Sequence, residues 1–230
     1  MTRISLYYDV VSPWSLFAYH ILKRYRAPWG FDLELKPTFL GGVMQASGNQ
    51  PPINIKNKGK WMNESDMPLA AEWMQIPYKF PSTFPVNTIH CIRFLRAVEH
   101  HAPDKLEAAT DLFFQLIWNP SDGRSADDAV KPESFAPAVR AAALFSDDAE
   151  VATLLETANS SENKDRLKRE ATTLVDEGGA FGFPWIVVER DDGRTRAFFG
   201  SDRFEAMAFW LGKEWNGPLA QSQPARVARL

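Results

Sequence analysis

Asp9-Val10-Val11-Ser12-Pro13-Trp14-Ser15 is the stretch that decides the fold, and it follows directly on the short apolar run Ile4–Tyr8. The run is rich in apolar and aromatic residues, which predicts a β-strand. Ser12 and Pro13 predict the start of a helix, because serine is a good N-cap and proline lacks an N–H that the first helical position cannot use. The sequence therefore predicts a strand that turns straight into a helix over Pro13–Tyr25.

The N-terminal block, residues 1–58, continues with a second predicted strand at Phe31–Lys36. The helix between the two strands is long enough to return the chain for parallel pairing, so we predict a βαβ unit. Gly41-Gly42 and Pro51-Pro52 predict an irregular, flexible loop after this unit. Ser121–Asp128 is predicted to be an exposed loop later in the chain.

The two remaining blocks differ in pattern. Residues 59–177 carry apolar side chains at three-and-four spacing without strand patterning, which predicts helices. In residues 178–218, apolar strands at Pro184–Val188 and Ala197–Phe199 flank the turn residues Asp191-Asp192-Gly193, which predicts a hairpin before a last helix. A ββα unit thus follows the βαβ unit, and a helical insertion separates them.

The composition excludes several classes of partner. With 230 residues, a formal net charge of −3 and a pI of about 5.9, the chain lacks the basic surface that nucleic acid or an anionic membrane requires. Its mean hydropathy is −0.30, and no apolar run reaches the length of a membrane span. The first strand begins within a few residues of Met1, so we expect no secretory or mitochondrial presequence.

Cys91 is the single cysteine, so the chain has no intramolecular dithiol or disulfide framework. It lies in the amphipathic segment Thr88–Leu95, where a free cysteine is expected to be a buried structural thiol. His90 precedes it, but adjacent helical positions point about 100° apart, which argues against a Cys–His nucleophile. We also predict no metal site.

Ser12 is the first candidate functional residue, and its structural interpretation is a helix cap. At the N-terminus of the first helix of a βαβ unit, however, backbone N–H groups and the helix dipole favour an anion. A thiolate placed there has a lowered pKa. Because no base lies beside Ser12 in the sequence, we predict that its hydroxyl donates a hydrogen bond to such a sulfur and is not itself a covalent nucleophile.

The order βαβ…ββα with a Ser-Pro turn is similar to a thioredoxin-type domain, in which a Cys-Pro-x-Cys motif occupies that turn. Here Ser12-Pro13-Trp14-Ser15 has hydroxyls in place of both sulfurs. A site that keeps the scaffold without its own thiols is expected to act on the thiol of another molecule. We therefore predict an α/β protein with a thioredoxin-like fold, residues 1–58 plus 178–218, interrupted by a large all-helical insertion, residues 59–177, and followed by a tail, residues 219–230.

Two segments near the C-terminus offer contacts to a peptide-like ligand. Pro184, expected to be cis in this scaffold, follows Phe183, whose exposed backbone can pair with an extended peptide, although a rigid turn is the structural alternative. Ser201 and Asp202 are predicted as the N-cap and a first-turn acid of the last helix. The same pair suits a ligand with an α-carboxylate and an α-ammonium group.

Asn49 and Lys58 belong to the segment rich in glycine and proline, which a flexible loop alone would explain. Asn49 offers a donor and an acceptor to an amide, and Lys58 suits a carboxylate. The γ-glutamyl end of glutathione has both an α-carboxylate and an α-ammonium group, and its glycine end has a carboxylate. Glutathione is one ligand that carries the groups matching this set.

Taken in order, these segments resemble the kappa-class glutathione transferases, a family that includes glutathione-dependent 2-hydroxychromene-2-carboxylate isomerases and is related to disulfide-forming oxidoreductases. The likeness covers nearly the whole chain. It extends from Tyr8–Pro13 through Ser47-Gly48-Asn49, Pro51-Pro52, Gly179–Pro184, Phe199–Arg203, Leu211–Trp215 and Gly217-Pro218 to Ala228-Arg229-Leu230. The resemblance implies a homodimer that uses glutathione as co-substrate and joins it to small electrophiles, a detoxification reaction.

The resemblance also implies roles for particular residues. Ser12 is expected beside the glutathione sulfur, with Pro13 and Trp14 lining the same pocket. The residues expected to hold the tripeptide are Asn49, Lys58, Phe183, Ser201 and Asp202. The family often has Tyr at the position of Trp14 and Leu or Val at that of Phe183, so the pocket for the second substrate is expected to differ.

Three hypotheses about function stay open from the sequence. The first is a glutathione transferase in which Ser12 stabilises the thiolate. The second is an isomerase of the 2-hydroxychromene-2-carboxylate type, in which the same thiolate adds reversibly to an unsaturated compound. The third is a non-catalytic protein that binds glutathione or a peptide. A thiol–disulfide oxidoreductase is disfavoured, because it requires paired cysteines.

The last three residues, Ala228-Arg229-Leu230, match a permissive form of the Ser-Lys-Leu peroxisomal signal, with a small residue, a basic residue and leucine. We predict peroxisomal localisation through an import receptor that binds this tripeptide. The cytoplasm and the mitochondrial matrix are the alternatives.

Overall fold

A mixed four-stranded sheet lies at the centre of the computed structural model, which describes residues 1–121, 123 and 125–220. Its strands are β1 (Arg3–Tyr8), β2 (Asp32–Pro37), β3 (Trp185–Glu189) and β4 (Thr195–Phe199), in the order β2-β1-β3-β4. β1 pairs in parallel with β2 and antiparallel with β3, and β3 and β4 form the antiparallel hairpin. The predicted βαβ and ββα units and the thioredoxin-like fold are confirmed.

Helices make up the rest of the regular structure. They are α1 (Pro13–Trp29), α2 (Leu40–Ser47), α3 (Lys56–Trp61), α4 (Met67–Met74), α5 (Ile89–His101), α6 (Leu106–Trp118), α7 (Ala126–Ala129), α8 (Pro132–Ala141), α9 (Asp148–Asn159), α10 (Ser161–Asp176) and α11 (Phe204–Leu211). A π-helical turn, Met62–Asp66, joins α3 to α4, and short 3₁₀ turns lie at Pro52–Asn54 and Pro103–Lys105. In the described part of the chain, no helix is both long and apolar enough to cross a membrane.

α1 is longer than the sequence predicts, because it continues past Tyr25 to Trp29. It ends at Gly30, which adopts the left-handed conformation (φ 66°) and donates its N–H to the Arg26 carbonyl at 3.0 Å. Trp29 is buried and donates its indole N–H to the Glu214 carbonyl at 2.9 Å. This contact with the C-terminal part of the chain stabilises the last turn of α1 and was not visible in the local pattern.

The predicted irregular loop after β2 is wrong in part, because residues 40–47 form α2. Gly41 and Gly42 are poor helix formers, but Val43 is fully buried against α10, where it packs with Ala171 and Leu174. This packing offsets the entropic cost of ordering the two glycines.

The predicted exposed loop at Ser121–Asp128 is also shorter than expected, since α7 begins at Ala126. Ser125 caps this helix by accepting a hydrogen bond from the Asp128 N–H at 3.3 Å, and Ala126 is buried. Ser125, followed by Asp127 and Asp128, is itself a helix start signal.

The main hydrophobic core crosses from the sheet into the insertion. The Tyr8 and Thr110 hydroxyls lie 2.5 Å apart and hydrogen-bond in the interior, which joins β1 to α6. The Trp118 indole N–H donates to the Val10 carbonyl at 2.8 Å and joins the end of α6 to the β1–α1 turn. The insertion is therefore hydrogen-bonded both to β1 and to the β1–α1 turn. The domain boundaries at residues 58, 177 and 218 stay a prediction.

Candidate functional site

A cavity of about 1340 Å³ opens at the β1–α1 turn and extends along the segment from α2 to α4. Its volume exceeds the roughly 300–1,000 Å³ of a typical small-molecule site, so it has room for more than one ligand. All the residues predicted for the site contribute to its wall, namely Ser12, Pro13, Trp14, Asn49, Lys58, Phe183, Ser201 and Asp202. The fold thus brings residues from both ends of the chain together, while their contacts with a ligand stay a prediction.

Ser12 caps α1, as the sequence predicts. Its backbone is extended, with φ −86° and ψ 115°, and its Oγ accepts a hydrogen bond from the Ser15 N–H at 3.2 Å. The hydroxyl also donates to the Phe183 carbonyl at 3.3 Å. Because only 4% of the residue is exposed, the hydroxyl lies at the floor of the cavity and is held by the protein on two sides.

The first turn of α1 also offers a backbone donor. The Ser12 N–H donates to the Asp9 carbonyl at 3.0 Å, and the Leu16 N–H donates to the Ser12 carbonyl at 3.1 Å. Pro13 has no N–H. Within the described part of the chain the Trp14 N–H has no hydrogen-bond partner, so the helix N-terminus presents a donor and the positive end of its dipole beside Ser12.

Phe183 precedes Pro184 through a cis peptide bond, as the sequence predicts, and β3 begins at the next residue. The backbone of Phe183 is less exposed than predicted, because the residue is buried and its carbonyl accepts the Ser12 hydroxyl. The two predicted site residues are therefore in direct contact at the cavity floor.

Asn49 makes its hydrogen bonds within the protein. Its Nδ2 donates to the Phe181 carbonyl at 2.6 Å, and its Oδ1 accepts from the Gln50 N–H at 2.8 Å. A side chain added at Gly182 would come within 3.4 Å of the same Nδ2. Asn49 thus holds the segment after α2 against the strand-entry segment on which Phe183 lies.

The predicted cap of the last helix is wrong. α11 begins at Phe204 with Arg203 at its N-cap position, so neither Ser201 nor Asp202 lies where the sequence placed it. Ser201 is buried, whereas the Asp202 carboxylate is exposed and lies 3.5 Å from the Arg203 Nε. Gly200 has φ 95°, a conformation that favours glycine, and this tight turn moves the helix start two residues onward.

Lys58 lies in α3 with its side chain exposed at the cavity wall. The other ionisable wall residues in the described part of the chain are the acids Asp9, Asp66, Asp202 and Glu205. Among these described wall residues Lys58 is therefore the cation, and an anionic group of a ligand has this one side chain to approach.

The part of the wall between residues 61 and 88 is mostly apolar. Its large side chains are Trp61, Met62, Met67, Leu69, Trp73, Met74, Phe80 and Phe84. Trp61, Leu69 and Trp73 are more than half exposed, which indicates an open mouth lined by apolar groups. Methionine and aromatic side chains adapt to apolar ligands of different shapes.

Asp9 is a candidate that the sequence interpretation missed. It is completely buried on the cavity wall, and burial raises the pKa of its carboxyl to about 6. The local signal was present, because the run Tyr8–Val11 is apolar except for this acid. Nothing in the sequence showed its two distant partners, Leu40 and Thr88.

Cys91 is buried as predicted and does not line the cavity. Burial raises the pKa of its thiol well above the ordinary value, so it is a poor source of thiolate. Among the described residues, no cluster of histidine, cysteine or acidic side chains is arranged to hold a metal ion.

Comparisons with known proteins concern the family and the fold of the chain. The family model described as "DSBA-like thioredoxin domain" matches residues 3–211. The chain is 35% identical to human glutathione S-transferase kappa 1 over 229 residues, which covers 97% of both chains. It is 26% identical to 2-hydroxychromene-2-carboxylate isomerase of Sphingobium xenophagum over 223 residues, which covers 92% of this chain and 99% of that one.

A solved structure of a 2-hydroxychromene-2-carboxylate isomerase has the same fold. It superposes with a TM-score of 0.70 and 22% sequence identity, and the match covers 91% of this chain and 94% of that one. At this level of identity the likeness concerns the fold alone. It includes the helical insertion, since the match extends over nearly the whole chain.

Proposed function

Because the chain belongs to the kappa-class glutathione S-transferases, within the wider family of DSBA-like thioredoxin domains, we propose that it binds glutathione in this cavity. Ser12 stabilises the thiolate of the bound glutathione, and the protein transfers that thiolate to small electrophiles. The observation that carries this proposal is the position of the Ser12 hydroxyl and the α1 N-terminus at the floor of a cavity that holds no cysteine. The reacting sulfur therefore comes from the ligand.

The Ser12 hydroxyl can donate a hydrogen bond to a bound sulfur with little loss of its present hydrogen bonding. Its bond to the Phe183 carbonyl is long, at 3.3 Å, so rotating the proton toward a bound thiolate gives up a weak interaction. The Oγ lone pair continues to accept from the Ser15 N–H at 3.2 Å, which fixes the oxygen during that rotation. The Trp14 N–H and the helix dipole add to the stabilisation of the anion.

The remaining wall residues suit the two ends of the tripeptide. We assign the γ-glutamyl carboxylate to Ser201, whose hydroxyl α11 does not use as its cap, and the γ-glutamyl ammonium to Asp202. The cysteinyl backbone lies beside Phe183, and Asn49 holds that wall in place. The glycine carboxylate is assigned to Lys58, the cation among the described residues of the wall.

The chemistry that follows needs no further cofactor. The bound thiol loses its proton to solvent, and the sulfur uses the electron pair to form a carbon–sulfur bond with the electrophile. A displaced leaving group departs with its own bonding pair, whereas an activated double bond takes up a proton after addition. Lowering the thiol pKa toward neutrality raises the population of the nucleophile, with a smaller loss of its intrinsic reactivity.

An isomerase is the second candidate, because a 2-hydroxychromene-2-carboxylate isomerase aligns with nearly the whole chain. The same thiolate would add to an unsaturated ring-opened compound and then leave, so glutathione is regenerated. Incubation with such a substrate separates the two: a transferase accumulates the thioether, whereas an isomerase forms the isomer and leaves the glutathione concentration unchanged. Tight binding of glutathione without either product is the outcome for a non-catalytic binding protein.

The Ser12→Ala variant tests the thiolate proposal. We expect the pKa of bound glutathione to rise by about one to two units, because a hydrogen bond to a charged group contributes about 1.5–3 kcal/mol and one unit corresponds to 1.36 kcal/mol. Ultraviolet absorbance of the thiolate as a function of pH measures this shift. The rate of conjugation at neutral pH should fall with the thiolate population.

The matched control for that variant is Ser160→Ala. Ser160 caps α10 by accepting from the Asn163 N–H at 3.1 Å, so its loss costs a comparable amount of stability, about 1 kcal/mol, away from the cavity. The control should keep the thiol pKa of the wild type. Equal thiol pKa values in all three proteins would remove Ser12 from the mechanism.

Lys58→Met tests the assignment of the glycine carboxylate. We expect the KM for glutathione to rise about twofold to fivefold with little change in kcat, the range for an exposed ion pair. With glutathione esterified at glycine, wild type and variant should have the same KM. Lys60→Met is the control, because Lys60 lies in the same helix, outside the cavity wall and 3.9 Å from Glu64. An equal rise in both variants contradicts the assignment.

We also propose that the protein is a homodimer, as the family resemblance implies. Leu69 and Trp73 are one helical turn apart on α4, and both are more than half exposed, which leaves an apolar surface that a second chain can cover. Light scattering should give twice the mass of the chain, and Leu69→Glu should shift the mass toward that of one chain. A single-chain mass for the wild type at high concentration rejects the proposal.

We propose peroxisomal import through Ala228-Arg229-Leu230, which lie outside the described residues. The support is the order of a small residue, a basic residue and leucine. A fluorescent protein fused before residue 1 should accumulate in peroxisomes of a eukaryotic host cell, and deletion of the three residues should disperse it. A diffuse or mitochondrial signal from the full chain favours one of the alternative compartments.

A further inference from the structure

Asp9 lies where three separate segments of the chain meet at the cavity. It occupies the turn between β1 and α1, three residues before Ser12, and its side chain is completely buried. The start of α2 and the segment that leads into α5 both contact it. Each of these three segments forms part of the cavity wall.

The carboxylate accepts one hydrogen bond from each segment. Its Oδ1 accepts from the Val11 N–H at 3.1 Å and from the Thr88 hydroxyl at 2.6 Å, and its Oδ2 accepts from the Leu40 N–H at 2.8 Å. The Asp9 backbone carbonyl accepts the Ser12 N–H at 3.0 Å. Residue 9 therefore fixes the turn that carries Ser12 through both its main chain and its side chain.

The partners of Asp9 belong to segments that line two different parts of the cavity. Leu40 begins α2, and Asn49 follows the end of that helix. Thr88 ends the segment that contributes Phe84 and Val86 to the apolar wall. One carboxylate thus joins the β1–α1 turn, the start of α2 and the segment before α5. On the proposed function, these segments lie beside the thiol, the tripeptide and the second substrate, respectively.

The ionised form of this carboxylate has a cost in stability at neutral pH. Its pKa of about 6 in the folded protein lies above the ordinary 3.8, chiefly because burial disfavours the charged form. A group whose pKa is raised on folding contributes stability that is lost as the pH rises through the folded value, so the ionised side chain is a cost at neutral pH. An apolar residue would avoid that cost but would leave the two N–H groups without an acceptor.

On the basis of the proposed function, we propose that Asp9 is the positioning residue of this site: its buried carboxylate holds Ser12, α2 and the wall before α5 in the one arrangement that activates the thiol. It acts through Ser12 and does not contact the substrate. Misplacing a reacting group by about 1 Å can cost a hundredfold in rate, so a contact that fixes the turn has a large effect on turnover.

The charge of Asp9 makes the arrangement depend on pH. As the pH falls through about 6, the carboxyl takes up a proton, and the contacts from Val11 and Leu40 change from charge-assisted to neutral hydrogen bonds. The titratable groups that interact with it from neighbouring elements are Tyr8 on β1 and Cys91 on α5. Burial raises the pKa of both, so they are neutral in this range.

The more distant ionisable groups on the cavity wall within the described residues are Lys58, Asp66, Asp202 and Glu205. They share the cavity with Asp9 and are absent from its hydrogen bonds. Replacing Asp9 removes its own ionisation and leaves theirs in place. A change in the pH profile on replacement of Asp9 therefore combines the loss of its own ionisation with any shift in the thiol pKa of bound glutathione, and thiolate absorbance measures that second part separately.

The variant Asp9→Asn tests the proposal. The amide keeps the size of the side chain, but its NH2 group faces a backbone N–H at one of the two oxygen positions and cannot accept from it. We expect kcat/KM for conjugation to fall about 10- to 100-fold at neutral pH and the thiol pKa of bound glutathione to rise. The part of the acid-side fall in the wild-type kcat/KM profile that comes from Asp9, near pH 6, should disappear, and the ionisation of the thiol should remain at its raised pKa.

Two further variants keep the test informative if Asp9→Asn folds poorly. Thr88→Val removes one donor and keeps the carboxylate, so the thiol pKa should shift in the same direction by a smaller amount. Asn163→Leu removes a buried side chain that donates to the Arg93 and Ala158 carbonyls, outside the cavity wall. It should lower the free energy of unfolding without changing the thiol pKa or the pH profile.

The outcomes separate this proposal from the proposed function. A wild-type protein that neither binds glutathione nor conjugates it refutes the proposed function itself. A wild type that does both, together with an Asp9→Asn variant of unchanged thiol pKa and pH profile, refutes the positioning role alone. A lower thiol pKa and faster conjugation in Asp9→Asn also refute it, because the carboxylate would then act only as a repelling charge beside the thiolate.

Discussion

The turn from β1 into α1 is the constraint on which the rest of the structure depends. The chain passes from the sheet into the helix within a few residues, and it must satisfy the backbone groups of that turn away from water. Ser12 and Asp9 do this with their own side chains, which accept the Ser15 and Val11 N–H groups. The first turn of α1 consequently lies at the cavity wall, and on the proposed function it is the part of the wall that stabilises the anionic sulfur.

Serine at this position changes what the scaffold can do. A hydroxyl in the place of a thiol cannot form a disulfide, but it can still donate a hydrogen bond to a sulfur brought from outside. The one cysteine of the chain does not replace the missing thiols, because Cys91 is buried and its raised pKa keeps it protonated. On the proposed function, the protein therefore keeps the environment that stabilises a thiolate and takes the sulfur itself from glutathione.

The sequence was sufficient where the deciding interactions are local. The strand–turn–helix unit at Ser12-Pro13 and the hairpin around Gly193 depend on neighbouring residues, and both are confirmed. It was insufficient where distant contacts decide. α2 forms because Val43 packs against α10, the start of α11 is set by the turn at Gly200, and no local pattern could show that Asp9 meets Leu40 and Thr88, which lie 31 and 79 residues away.

The two ends of the cavity differ in polarity. On the proposed function, the polar end binds one particular thiol, glutathione, and the apolar end accepts different second substrates. Directional contacts discriminate strongly, because a ligand lacking a matching group leaves a buried polar atom unpaired. Ser12, Asn49 and Ser201 are the wall residues whose polar side chains offer such contacts. The wall from α3 to α5 offers methionine, tryptophan and phenylalanine instead, and apolar burial discriminates weakly between shapes. On the proposed function, the thioredoxin-like part therefore selects the thiol and the helical insertion tolerates the electrophile, and the hydrogen bond from Thr88 to the Asp9 carboxylate joins the two parts.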